Sequence, residues 1–360
     1  MSCLPCIEKK DEKQRGEGMQ SNRKIRVLVV DDSIVFREVL SRGISSDGEI
    51  EVVATASDPF DARDKILQYR PDVMTCDVEM PKMNGIEFIR RLIPQYPLPV
   101  IVVSTVSSSV FDAMDAGAVD FVAKPDFRQV KSVETFILEM IEKVKVAARS
   151  KIVPVTEQTP MTGMGNLRAA TTGKIIAIGA STGGTEAISS ILKSLPADFP
   201  GIVIVQHIPP VFSRIFAERL DHTTDLNVKE ACTGDFVERG HVYIAPGDAH
   251  MKIKKVADRY KIHCFAGDKV NGHCPSVDVL FESVASQAGA NSTGVILTGM
   301  GYDGAKGLLL MKQAGAMTIG QDEQSSVVYG MPKVAYNIGA VMKQAPLSRI
   351  PQLLCSWLNQ

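Results

Sequence analysis

Three aspartates are spaced to meet at one edge of a parallel sheet. Asp31 and Asp32 directly follow the aliphatic run Ile25–Val30, and Asp77 directly follows Val73–Cys76. In a doubly wound sheet, ligands bind beyond the carboxyl ends of the strands, so these carboxylates should converge there. Crowded carboxylates raise one another's pKa, and a hard divalent cation removes the conflict. Mg²⁺ suits this donor set, since a few carboxylates, waters and a phosphate complete its shell. Ser104 closes the next strand candidate, Pro99–Val103, and Lys124 follows Phe121–Val122. A hydroxyl and a fixed cation at the same edge can hold phosphoryl oxygens as charge develops on them. The chemistry expected is phosphoryl transfer to a carboxylate, with Asp77 as the nucleophile. Helix capping alone would explain Asp31 or Asp32, but not five polar groups at the ends of four strands.

A second constellation begins where Ile175–Ile178 runs into Gly179-Ala180-Ser181-Thr182-Gly183-Gly184, with helix-like sequence beyond. A serine on such a strand–turn–helix is exposed, and N–H groups at Thr182 and Gly183 can face an oxyanion at the helix start. A dinucleotide-binding turn is the alternative, but G-x-G-x-x-G is missing and the following strand ends in Gln206 rather than an acid. The serine needs a base. Among six histidines, His207 directly follows Gly201–Gln206 and so shares the strand-end edge with Ser181. His222, His241, His250, His263 and His273 sit in less informative contexts and read as surface or polar-network residues. The pairs His263-Cys264 and His273-Cys274 lack a recognisable zinc spacing. Asp303, set among Gly299, Gly301 and Gly304 after the run Gly294–Leu297, could orient the imidazole. Spacing alone leaves this third member open, because a serine and a histidine can always be matched with some aspartate. The order Ser…His…Asp also differs from that of the α/β-hydrolases.

The elements that must position these groups form two α/β patterns. Strands and helices alternate from Ile25 to about Lys145, with strand candidates at Ile25–Val30, Ile50–Ala54, Val73–Cys76, Pro99–Val103 and Phe121–Val122. Asp58-Pro59 reads as an N-cap followed by proline at the first helical position, and Ser132–Ala148 as a closing amphipathic helix. Five such strands imply a parallel sheet covered on both faces, over residues 25–148. Residues 149–173 are small, polar and turn-rich, which suits a linker. A second parallel α/β pattern fills 174–360 through Lys174–Ile178, Gly201–Val205, His241–Ala245 and Gly294–Thr298. Residues 1–24 read as a disordered, charged extension. Its Cys3 and Cys6 lack a partner pair, and Met19 is an alternative start.

Composition bounds the function. At 360 residues the chain allows about two domains. Hydrophobic residues make up 45% and charged residues 22%, as in ordinary globular protein. Forty basic against forty-one acidic residues leave a net charge of −1, which weighs against a general polyanion binder. No apolar run reaches the ~18 residues of a membrane helix, and the charged N-terminus lacks the apolar core of a secretory signal. Seven scattered cysteines suit a reducing compartment. The expectation is a cytoplasmic protein.

The first pattern resembles a response-regulator receiver domain. The resemblance rests on V-V-D-D-S at 29–33, D-V-E-M-P-x-M-N-G at 77–85, S-T at 104–105 and A-G-A-x-D-F-V-A-K-P at 116–125. It implies phosphorylation at Asp77, with Asp31, Asp32, Asp77 and the Glu79 backbone around Mg²⁺. It further implies Ser104 and Lys124 as phosphoryl contacts and Phe121 as the aromatic switch. The second pattern resembles the catalytic domain of chemotaxis protein-glutamate methylesterases of the CheB type. The motifs are G-A-S-T-G-G at 179–184, V-Q-H-I-P-P at 205–210, Y-I-A-P-G-D-x-H at 243–250, P-S-V-D-V-L-F at 275–281 and L-T-G-M-G-x-D-G-A at 297–305. This implies Ser181 as nucleophile, His207 as base then acid, Asp303 as its orienter, and the Met300 N–H near the oxyanion.

Together the two resemblances imply a phosphorylation-activated hydrolase. It would demethylate chemoreceptor glutamate methyl esters and deamidate selected receptor glutamines, with a histidine kinase as phosphodonor. The esterase chemistry would need no cofactor, and membranes would be approached through receptors only. Cys274 departs from the family, which more often has arginine before P-S-V-D. A DNA-binding response regulator would share the receiver, but residues 174–360 carry seventeen basic against sixteen acidic side chains rather than a basic excess. A non-catalytic adaptor would keep the fold without needing Ser181, His207 and Asp303 together.

Overall fold

A computed structural model describes residues 23–81, 83–105, 109–126, 128–151 and 173–358. The extension through residue 22, with Cys3, Cys6 and Met19, and most of the expected linker lie outside the described residues.

The first sheet contains β1 (Ile25–Val30), β2 (Ile50–Ala56), β3 (Val73–Asp77), β4 (Val100–Ser104) and β5 (Asp120–Ala123). Its order is β2-β1-β3-β4-β5 and every pairing is parallel. Helices α1 (Ile34–Ile44), α2 (Pro59–Tyr69), α3 (Gly85–Leu92), α4 (Ser109–Asp115) and α5 (Val130–Ala147) connect and cover it. The inner strands read as continuous aliphatic runs because both faces are buried: β3 and β4 are buried at every residue. Ser33 caps α1 by accepting the Phe36 N–H, and Asp58 caps α2 ahead of Pro59. The chain leaves β1 for β2 on one side and returns to β3 on the other. That reversal opens a crevice at the carboxyl ends of β1 and β3.

The second sheet has seven strands: β6 (Ile175–Ala180), β7 (Gly201–Gln206), β8 (Asn227–Glu230), β9 (His241–Ile244), β12 (Ser292–Ile296), β13 (Met317–Gln321) and β14 (Lys343–Ala345). Their order is β14-β13-β12-β6-β7-β9-β8, again all parallel. Between β9 and β12 an antiparallel hairpin, β10 (His250–Val256) and β11 (Arg259–Phe265), stands outside the sheet. It is tied to the following helix α8 (Val277–Gln287) by the Ile253 N–H, which donates to Ser283 Oγ at 3.1 Å. Helices α6 (Gly184–Leu192), α7 (Phe212–Thr223), α9 (Ala305–Gln313), α10 (Met331–Asn337) and α11 (Ile350–Leu358) complete the layers. Strands β8, β13 and β14 and the hairpin add to the sequence expectation. Three residues such as Lys-Gln-Ala carry no periodic signal, and only the neighbouring strand makes them a strand. The reversal of direction here falls between β6 and β12.

The two α/β units meet through an aromatic seam. Phe111 of α4 stacks on Phe216 of α7 at 5.4 Å, and Phe121 of β5 lies 4.8 Å from Phe212. All four rings are buried in one continuous core cluster. Arg219 of α7 closes the rim, pairing with Asp112 at 2.7 Å and with Asp115.

Candidate functional site

At the edge of the first sheet, Asp31, Asp32 and Asp77 bring their carboxylate oxygens within 4.8 Å of one another. Asp31 and Asp77 are buried, and Asp32 is exposed. Lys124 Nζ donates to Asp77 Oδ2 at 2.7 Å and pairs with Asp31 Oδ2 at 2.9 Å. The Glu79 N–H donates to Asp77 Oδ1 at 3.2 Å. Burial, reinforced by Asp31 and opposed by Lys124, pushes the Asp77 carboxyl up to about 6. Ser104 ends β4 beside Asp77, because β3 and β4 pair Asp77 with Val103. Among the described residues, its buried hydroxyl has no hydrogen-bond partner. A three-carboxylate cluster with a raised pKa and an unused buried donor fits a divalent cation and a phosphoryl group.

The second edge is built on the adjacent strands β6 and β7. Their register pairs Ala180 with Gln206, so Ser181 and His207 leave the sheet as neighbours. The Ser181 N–H donates to Thr298 O at 3.0 Å, which ties the turn to the loop after β12. Gly183 takes φ +74°, a left-handed conformation that glycine adopts without strain, as the chain enters α6. Gly299 has no room for a side chain, since a Cβ there would lie 2.7 Å from Ser181 Cβ. The loop carrying Met300 therefore passes hard against the serine. Among the described residues, the Thr182, Gly183 and Met300 N–H groups make no hydrogen bond, so all three remain as donors at this turn.

His207 Nε2 meets Asp303 Oδ2 at 2.9 Å, and its buried Nδ1 has no partner among the described residues. The free ring nitrogen is the one available to Ser181, a bond not made in this structure. Asp303, 1% exposed, accepts four further hydrogen bonds: Val277 N–H at 2.7 Å, Asn271 Nδ2 and Ser276 Oγ at 2.8 Å each, and Asp278 N–H at 3.2 Å. Two of these donors are the first N–H groups of α8, so the carboxylate also sits at the positive end of a helix. Burial opposes its ionisation, but His207, Asn271 and the Val277 N–H outweigh burial and hold the carboxyl far below the usual range.

Several residues of this edge escaped the sequence reading. His273, expected at the surface or in a polar network, stacks face to face on His207 with centroids 3.7 Å apart. Burial and the neighbouring His207 push it down to about 4, so the stacked ring is neutral near pH 7. His250 does belong to a polar network: it accepts the Ser276 N–H at Nδ1 (3.2 Å), and its Nε2 meets Asp268 O (2.9 Å). Cys274 is half-buried beside these groups, with a thiol pKa raised chiefly by burial. No periodicity marks the segment 268–276, because its side chains are ordered by what they bind.

One contact joins the first unit to the serine edge. Thr182 Oγ1 donates to Asp120 Oδ2 at 2.8 Å, so a carboxylate of the first unit holds the residue next to Ser181. The other Asp120 oxygen accepts from Lys143 Nζ at 2.8 Å, and Lys143 also lies over the Phe121 ring.

Comparison with known proteins agrees with both patterns. The model of the response regulator receiver domain matches residues 27–133, and that of the CheB methylesterase matches residues 176–354. A protein-glutamate methylesterase/protein-glutamine glutaminase 2 of Syntrophomonas wolfei is 57% identical, over 94% of this chain and 99% of its own. One named protein-glutamate methylesterase/protein-glutamine glutaminase from Salmonella typhi is 48% identical over 93% of this chain and 97% of its own. The crystal structure of the Thermotoga maritima CheB methylesterase catalytic domain superposes with a TM-score of 0.50 at 41% identity. It covers 51% of this chain and 98% of that one. With a receiver-type acidic edge, a Ser181–His207–Asp303 edge and full-length relatives of the same design, the chain belongs to the CheB methylesterase family.

Proposed function

We propose that this protein is a phosphorylation-activated serine hydrolase that demethylates glutamate methyl esters on chemoreceptors and deamidates selected receptor glutamines. The observation that carries it is the buried His207–Asp303 pair, whose free Nδ1 lies at the strand position beside Ser181. Ser181 Oγ attacks the ester carbonyl while His207 Nδ1 takes its proton. Asp303 keeps the other nitrogen protonated and stabilises the imidazolium that forms. The two ring nitrogens exchange the roles they have in chymotrypsin-type enzymes, with the same chemical result. The oxyanion accepts N–H groups from Thr182, Gly183 and Met300, a type of contact whose loss costs about 10²–10³ in rate. His207 then gives that proton to the departing methoxide oxygen, releasing methanol; water, deprotonated by His207, attacks the acyl-serine, and the imidazolium returns the proton to Ser181 Oγ as the free acid departs. With a glutamine, ammonia leaves in place of methanol.

The receiver comprises residues 25–148, and the catalytic domain 174–360. Asp77 accepts a phosphoryl group from a histidine kinase. Asp31, Asp32, Asp77 and the Glu79 backbone would hold Mg²⁺, whose charge would offset that of a phosphoryl group. Ser104 and Lys124 contact those oxygens, and Phe121 repacks as they are drawn inward. Since Phe121 packs on Phe212 and its neighbour Asp120 holds Thr182, that movement loosens the cover over Ser181. The protein works in the cytoplasm, meets the membrane only through receptors and needs no nucleic acid. Among the described residues, no helix is long and apolar enough to cross a membrane. The test is methanol release from methylated receptor membranes with and without a small phosphodonor. Ser181→Ala must abolish it, and substantial residual release would end the assignment.

A further inference from the structure

We propose that Asp278, acting through Asn271, is a positioning residue for the hydrolytic triad: a second buried carboxylate that fixes the amide aimed at Asp303 and so tunes His207. The proposal rests on the triad reading above. Asp278 is 3% exposed, in the first turn of α8. Its Oδ1 accepts the Gly307 N–H at 2.7 Å, from α9, and its Oδ2 accepts Asn271 Nδ2 at 2.7 Å. That same nitrogen donates to Asp303 Oδ1 at 2.8 Å. One amide group thus spends both hydrogens on two buried carboxylates.

Two consequences follow. The orientation of Asn271 is decided, because turning the amide over would set its carbonyl oxygen against two carboxylates. Without Asp278, half of that discrimination is gone. The second consequence is electrostatic. The charged group acting on Asp278 is Asp303, and burial and Asp303 both oppose its ionisation. His207 faces Asp303 at 2.9 Å and the His273 ring at 3.7 Å, while Lys269 acts on His273. When His207 becomes an imidazolium during catalysis, its compensation comes from Asp303 and, one amide further, from Asp278. Asn271 spreads the Asp303 charge, and Asp278 adds to it.

Opposite charge effects make the role testable in the full-length, phosphodonor-treated protein. Asp278→Asn keeps an acceptor for Gly307 but removes the charge and sets its own NH₂ against that of Asn271. Asn271→Gly removes the amide, and glycine tolerates the φ of +53° found there. Both variants should lower kcat for methanol release about ten- to a hundredfold, the scale of a lost hydrogen bond to a charged group, with KM unchanged. The acid limb of kcat/KM should move to lower pH in Asp278→Asn. It should move to higher pH in Asn271→Gly, where Asp303 loses a donor.

An unchanged kcat, or a fall in kcat with the limb unmoved, would make these residues structural only and overturn the proposal. If Asp278→Asn fails to fold, Asp278→Ser, which also removes the charge, must show the same downward shift, and an unmoved limb there overturns the proposal. Ser181→Ala measured alongside separates the two claims. If it still hydrolyses, the triad reading fails whatever the limbs do; if it is dead, the limb shifts judge Asp278 and Asn271.

Discussion

Replacing Asp120 by alanine should switch on the esterase without phosphorylation. The side chain belongs to the receiver sheet, yet its Oδ2 accepts from Thr182 Oγ1 at 2.8 Å, one residue from Ser181. A hydrogen bond to a charged group is worth about 1.5–3 kcal/mol. Lys143 would lose Asp120 but keep Glu139 at 3.5 Å, so the receiver should remain folded. If about 1% of unphosphorylated molecules are open, that loss multiplies the opening constant roughly 12- to 150-fold and opens about 10–60% of them. Basal methanol release should therefore rise about tenfold or more, as should fluorophosphonate labelling of Ser181. Measuring both in an Asp77→Asn background keeps the protein unphosphorylated. Arg219→Ala, which cuts the pairs to Asp112 and Asp115, should act in the same direction with a smaller, salt-dependent effect. A basal rate and a labelling rate equal to the parent's in both variants would show that these contacts do not hold the site closed.

His207→Gln should match the loss in Ser181→Ala, about 10⁶ in kcat, because triad members act as a unit. Asp303→Asn should retain more activity, since the nucleophile and base remain; kcat for methanol release orders the three. Phosphorylation should vanish in Asp77→Asn and on chelation with EDTA, while basal esterase activity survives chelation; loss of basal activity would point to a metallohydrolase. The Asp77 carboxyl is raised to about 6 and reacts only as a carboxylate. At limiting Mg²⁺, incorporation of phosphate from a small phosphodonor should therefore rise as pH climbs through about 6. Saturating Mg²⁺, which favours the ionised form, should move that rise to lower pH. Cys274→Ser should keep most of the hydrolytic activity, because burial raises that thiol and so disfavours the thiolate; a loss as deep as that of Ser181→Ala would contradict this.

The strands that carry the chemistry were legible because buried parallel strands are short aliphatic runs, and the functional groups stand where those runs stop. Asp31, Asp32, Asp77, Ser104, Ser181 and His207 all occupy such ends. The glycines beside Ser181 and Asp303 were legible as turns, and Gly183 at φ +74° meets that expectation. Local sequence therefore determined the first sheet, the four central strands of the second and the groups that stand at their ends, but not β8, β13 or β14. It could not decide how Asp303 is held, which ring covers His207, or that Asp120 reaches Thr182. Asn271, His273, Ser276 and Asp278 lie within eight residues of one another with no period, and they acquire roles only because the loop folds over the end of β12. The Phe121–Phe212 and Asp120–Thr182 contacts join residues far apart in the chain, so no local pattern encodes them. Which groups stand at a strand end follows from hydrophobic burial along a few residues. Which groups across the molecule share a hydrogen bond follows only from packing one unit on the other.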